Sequence, residues 1–158
     1  MDRQLQIQIL LDHYQKPRHR GEVEDADVAM PGGNPGCGDV LTVYLKGADD
    51  HAHIEDATYD GEGCTISMAA ASMLLEQVHD NDLTMDEVLD MDYNEMIEQL
   101  GRQVVASRPK CATLGLGTLK AAVRKYQKDR RLAAAGVERP EDAGLIFGEG
   151  AAEAARSE

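Results

Sequence analysis

Tryptophan is absent from this chain and phenylalanine occurs once, so that aromatic residues make up 4% of its 158 positions. Any core must therefore be built from Leu, Ile, Val, Met and Ala. Cations are also scarce, with 16 Lys and Arg against 29 Asp and Glu and a formal net charge of −13. A surface of that sign repels nucleic acid and anionic lipid. The acids are spread along the chain rather than gathered in one tail. This suits a solvated surface in a salty cytoplasm, or an ordinary acidic protein that meets basic partners. No apolar run approaches the length of a membrane span, and residues 1–10 carry no signal-peptide pattern. These features lead us to expect a cytoplasmic protein without nucleic-acid or membrane partners. In that compartment an odd number of cysteines, here three, points away from disulfides and toward metal binding or thiol chemistry. The spacing of the cysteines contains no CxxC, which excludes a zinc ribbon or finger.

The length allows one compact domain. Residues 4–16 read as an amphipathic helix, with Leu5, Ile7, Leu10, Leu11 and Tyr14 on its apolar face and Pro17 just past its end. Residues 18–38, rich in Gly and Pro, read as irregular. Strands are expected over 40–46, where Leu41, Val43 and Leu45 alternate with polar neighbours, and over 53–59. Asp60-Gly61-Glu62-Gly63 reads as a tight loop. Helices follow over 66–79, from a capping box at Thr84 through Met91, over 94–100, and over 110–130 behind Pro109. Gly115 and Gly117 weaken that last helix unless they permit close packing. The sum is an α+β domain over 1–130, a small antiparallel sheet packed with helices. Residues 131–158, rich in Ala, Gly and Glu, are expected to form a mobile acidic tail.

The three cysteines sit at junctions between elements. Cys37 lies in Asn34-Pro35-Gly36-Cys37-Gly38-Asp39, just before a strand. Cys64 ends Gly61-Glu62-Gly63-Cys64 at a helix start, and Cys111 follows Arg108-Pro109-Lys110 at another. A thiol at a helix N-terminus faces unpaired N–H groups and the positive end of the dipole, which favours the thiolate that binds metal and attacks persulfides. Three thiolates with one carboxylate suit a borderline-soft ion such as zinc or iron. The carboxylate is the hardest of these donors and hence the natural position for exchange. The remaining candidates read as structural: His13 as a helix-packing residue, His51 and His53 as a solvated strand start, Met68 and Met73 as core filler.

Four motifs in order give the chain a family resemblance. They are Ile9-Leu10-Leu11-Asp12-His13-Tyr14 with Lys16-Pro17-Arg18, Asn34-Pro35-Gly36-Cys37-Gly38-Asp39, Gly61-Glu62-Gly63-Cys64-Thr65-Ile66-Ser67 with Ala71-Ser72-Met73, and Arg108-Pro109-Lys110-Cys111-Ala112-Thr113-Leu114. From about residue 5 to 126 the chain resembles the U-type iron–sulfur cluster assembly scaffolds, which comprise IscU, the N-terminal domain of NifU, and SufU. The resemblance implies a metal site at one solvent-facing end of an α+β fold, with Cys37, Asp39, Cys64 and Cys111 as ligands. It implies sulfur received from a PLP-dependent cysteine desulfurase, and a downstream iron–sulfur carrier or apoprotein as recipient. The site then holds iron or a [2Fe-2S] cluster, with Cys111 as sulfur acceptor. In the SufU branch it holds Zn2+ and relays persulfide, with Cys37 as acceptor. The first is assembly rather than enzymatic turnover; the second is a sulfurtransferase activity. Lys110 stands where IscU-like members carry His, and Val104-Val105-Ala106-Ser107-Arg108 lacks their chaperone-recognition segment. The 81–107 segment is short for the SufU insertion. On balance the chain falls toward the SufU or NifU-like side. A structural zinc site without sulfur chemistry is the competing reading, but such sites usually take Cys and His rather than a carboxylate.

Overall fold

The computed structural model of the protein describes residues 2–34 and 38–136. Its elements run in the order α1 (Arg3–Gln15), β1 (Val28–Asn34), β2 (Asp39–Gly47), β3 (Ile54–Glu62), α2 (Thr65–Asp80), α3 (Met85–Leu89), α4 (Tyr93–Leu100) and α5 (Pro109–Ala134). The three strands form one antiparallel sheet in the order β1-β2-β3. Helices α5 and α2 cover one face, α1 packs on α2, and α3 and α4 pack on α5. The α+β expectation is met. Among the described residues no helix is long and apolar enough to cross a membrane.

Alternation places Leu41, Val43 and Leu45 of β2 inward, all at most 2% exposed, while Val40 faces out. The expected capping box is present: Thr84 Oγ1 accepts the Glu87 N–H and Glu87 accepts the Thr84 N–H. Gly115 packs close, since a Cβ there would lie 3.3 Å from Ala71 Cα. Lys120 is buried and donates to the carbonyls of Leu89 and Met91, with its ammonium 4.6 Å from the Tyr93 ring centroid. It thereby ties the connection between α3 and α4 to α5.

Two segments depart from the sequence reading. Residues 28–34, expected to be irregular, form β1, paired with β2 from Val28↔Leu45 to Asn34↔Asp39. An edge strand tolerates Pro31, because one side of it needs no ladder hydrogen bonds. Gly32 lets this strand lie against α5, where a Cβ would meet Thr118 Oγ1 at 2.1 Å. The second departure is at 60–63. Strand β3 continues to Glu62, with Gly61 opposite Leu41. Gly61 has φ +154, and a Cβ on it would sit 2.2 Å from the Val40 carbonyl oxygen. The glycine marks close strand approach here rather than a turn. At the other end of the chain, α5 reaches Ala134, four residues into the 131–158 segment expected as a tail, and from 137 onward that segment lies outside the described residues.

His13 packs α1 onto α2. It is 5% exposed, with Nδ1 2.8 Å from Ser72 Oγ and Nε2 3.5 Å from Glu76 Oε1. Ser72 Oγ also accepts the Arg18 N–H. Burial, then the Arg18 guanidinium, hold the His13 pKa below its ordinary value against the pull of Glu76 and Asp12. Burial and the stacked His79 ring, 3.7 Å away, lower His19 likewise. Both rings bind protons less readily folded than unfolded, so their stabilisation is complete above the unfolded pKa of about 6.5 and is lost as pH falls below it. His53, raised by its hydrogen bond to Asp50, works in the opposite sense, but on an exposed pair of little weight. The metal-free protein is therefore expected to melt at a lower temperature at about pH 5.5 than at about pH 7.5. The slope should flatten in His13→Gln, as followed by circular dichroism.

Candidate metal centre

At one end of the sheet, β2 begins, β3 finishes and α5 starts. Asp39 is the first residue of β2 and is 2% exposed. Cys64 is the N-cap of α2, two residues beyond the end of β3, and is half-buried. Cys111 lies in the first turn of α5 and is fully buried. One donor atom from each of these three residues falls within 4.8 Å of the others. Neither of these two cysteines is in a disulfide. Cys37, the fourth residue expected here, lies outside the described residues.

Asp39 organises the cluster. Its Oδ1 accepts the Cys64 backbone N–H at 2.9 Å, and its Oδ2 accepts the Cys111 thiol at 3.0 Å, with Cys64 Sγ at 4.0 Å. One carboxylate oxygen is thus spent on holding the backbone, and the other faces both sulfurs. Gly63 makes this approach possible: a Cβ on it would lie 2.7 Å from Asp39 Oδ1 and 2.6 Å from Ser67 Oγ. The glycine thus admits the carboxylate that orders the thiols.

Cys64 meets the start of α2 as the sequence reading supposed. Its sulfur accepts the Ser67 N–H at 3.5 Å and lies 3.6 Å from Ser67 Oγ. Burial pushes the thiol up, but the Ser67 N–H, the Ser67 hydroxyl and the adjacent Cys111 thiol outweigh it and the Asp39 charge, so the net pKa is below the ordinary thiol value. Two soft sulfurs and one carboxylate oxygen converging on a point form a donor set suited to zinc or iron. The His51 and His53 pair is elsewhere: His51 contacts the Tyr126 hydroxyl and His53 contacts Asp50.

Sequence reasoning left Ser67 without a role. The signal available was its place three residues after a helix-capping residue, the spacing at which an N3 backbone N–H meets the cap side chain.

The family model of the NifU-like N terminal domain matches residues 6–133. The chain belongs to the NifU-like N-terminal domain family. Among relatives of this NifU-like chain, an iron-sulfur cluster assembly scaffold protein IscU of Archaeoglobus fulgidus is 34% identical over 117 residues, covering 74% of this chain and 73% of that protein. The zinc-dependent sulfurtransferase SufU of Bacillus subtilis is 35% identical over 135 residues, covering 76% and 90%. Near-equal identity to both favours neither branch, so the expected lean toward SufU is not carried by these likenesses. Among solved structures, the N-terminal part of a NifU-like protein from Brucella abortus shares the fold, with TM-score 0.61 over 76% of this chain and 92% of that one at 18% identity.

Proposed function

We propose that the protein is a scaffold on which an iron–sulfur cluster is assembled or relayed, the cluster being cargo rather than a resident cofactor. The observation that carries this reading is the convergence of Asp39, Cys64 and Cys111 within 4.8 Å in a chain of this family. Cys37, in Asn34-Pro35-Gly36-Cys37-Gly38-Asp39, completes the donor set by its position in the family motif. Asp39 fixes the Cys64 backbone and presents one oxygen to the thiols. Ser67 and the start of α2 favour thiolate at Cys64. Sulfur comes from a PLP-dependent cysteine desulfurase and is accepted at Cys111 or Cys37. With an external reductant that supplies two electrons per persulfide sulfur to bring it to sulfide, the product is a [2Fe-2S] cluster passed to a downstream carrier or apoprotein.

The zinc-dependent sulfurtransferase is the second reading, and it rests on the likeness to the Bacillus subtilis protein. The same residues would then hold Zn2+, which keeps thiolates deprotonated near neutral pH, and Cys37 would take the persulfide. Anaerobic purification followed by assay of zinc, iron and acid-labile sulfide separates the two. Iron and sulfide in equal amount after incubation with a desulfurase, cysteine, ferrous iron and a thiol reductant support the scaffold. Zinc retained throughout, with labelled sulfur on Cys37, supports the sulfurtransferase. Failure to take up sulfur in either form would leave only a structural metal site.

A further inference from the structure

Cys64 is the more exposed of the two described thiols, yet neither proposed mode of sulfur delivery uses it. Its surroundings supply a reason. The Cys64 N–H is bound to Asp39 Oδ1 at 2.9 Å, and its sulfur receives the Ser67 N–H at 3.5 Å. Ser67 is completely buried, so its hydroxyl has no water to turn to. That hydroxyl donates to the Cys64 carbonyl at 3.0 Å and has Cys64 Sγ as its other neighbour, at 3.6 Å. When the sulfur is a thiol, its proton can point at Ser67 Oγ. When the sulfur is a thiolate bound to metal, only the serine has a proton to give, and rotation about its C–O bond brings that proton to the sulfur. Hydrogen bonds to a metal-bound thiolate withdraw electron density from it and fix its direction.

We propose that Ser67 is a positioning residue whose hydroxyl fixes the direction of the Cys64 sulfur and lowers its reactivity when the centre holds metal. The proposal rests on the metal-centre reading above. It concerns the hydroxyl, because the Ser67 backbone N–H remains in any variant that keeps α2.

The test compares the full chain with Ser67→Ala and Ser67→Thr. In the cobalt(II)-loaded proteins, loss of the hydroxyl should move the sulfur-to-cobalt charge-transfer band to longer wavelength, because an electron-richer sulfur is easier to oxidise. In the zinc-loaded proteins, iodoacetamide labelling read by mass spectrometry should show Cys64 alkylated about 3- to 10-fold faster in Ser67→Ala, the factor set by one hydrogen bond. Cys111 should react at its wild-type rate. Ser67→Thr, which keeps a hydroxyl, should restore both readouts. An unchanged band and Cys64 rate in Ser67→Ala would overturn the proposal. So would equal acceleration at Cys64 and Cys111, which would show a loosened site rather than a positioned sulfur. Failure of the metal-centre reading looks different: wild type would then show no sulfur-to-cobalt band, or a band whose intensity and position Cys64→Ser leaves unchanged.

Discussion

Cys111→Ser is expected to lower zinc affinity by at least about 100-fold, more than the loss of a partner outside the ligand set would cost. Serine replaces a thiolate with a hydroxyl that stays protonated at neutral pH, and it does so at a fully buried position. Cys64→Ser should have a similar effect. Competition with a chromogenic chelator measures it, and Cys37→Ser belongs in the same series. If all three single variants keep wild-type zinc, the metal lies elsewhere. Asp39→Cys supplies the contrast. It carries the centre toward four thiolates, so metal should leave more slowly to a chelator or acceptor apoprotein in stopped-flow measurements at matched loading. Equal or faster release would show that Asp39 is not the exchange position. The structure adds a second readout for this variant. Asp39 uses Oδ1 for the Cys64 N–H, and a thiol sulfur is a much weaker acceptor than the carboxylate oxygen it replaces. The metal-free variant should therefore be less stable by about 1–2 kcal/mol.

Gly63→Ala is expected to damage the site without touching a ligand. The added methyl would sit 2.7 Å from Asp39 Oδ1 and 2.6 Å from Ser67 Oγ. Both neighbours are buried side chains engaged with Cys64, so neither can yield without releasing it. Zinc affinity should fall by about 10- to 100-fold, the range seen when groups that orient ligands are lost. Stability should fall by about 1–3 kcal/mol from overpacking. Gly117→Ala is the control. A Cβ there would be 3.7 Å from the Tyr93 hydroxyl, an ordinary contact. That variant should be neutral or more stable by up to about 1 kcal/mol, since alanine favours a helix interior. If Gly63→Ala behaves like Gly117→Ala, the close approach to Asp39 is not required for binding.

Much of this protein was legible in the order of its residues. The alternation of Leu41, Val43 and Leu45 sets the inner face of β2, because side chains in a strand point to opposite sides. Thr84 and Glu87 set the start of α3, because each satisfies a backbone group of the other. The cysteine motifs identified the family and the residues to watch. These are local signals, carried by neighbours a few positions apart. Strand β1 was not legible, because Pro31 and Gly32 read as breakers until an edge position and the closeness of Thr118 make them suitable. The role of Gly61 was hidden for the same reason: its demand comes from the Val40 carbonyl on the neighbouring strand. The sequence alone determined which donors are present, three thiols, two of them at helix starts, and a carboxylate at a strand start. Tertiary structure alone decided how they are arranged. It spent one Asp39 oxygen on the Cys64 backbone, aimed the other at the sulfurs, and set Ser67 behind Cys64. Asp39 and Cys111 are 72 residues apart in the chain and 3.0 Å apart in space, and a contact of that kind is fixed by packing of β2, α2 and α5 rather than by any local pattern.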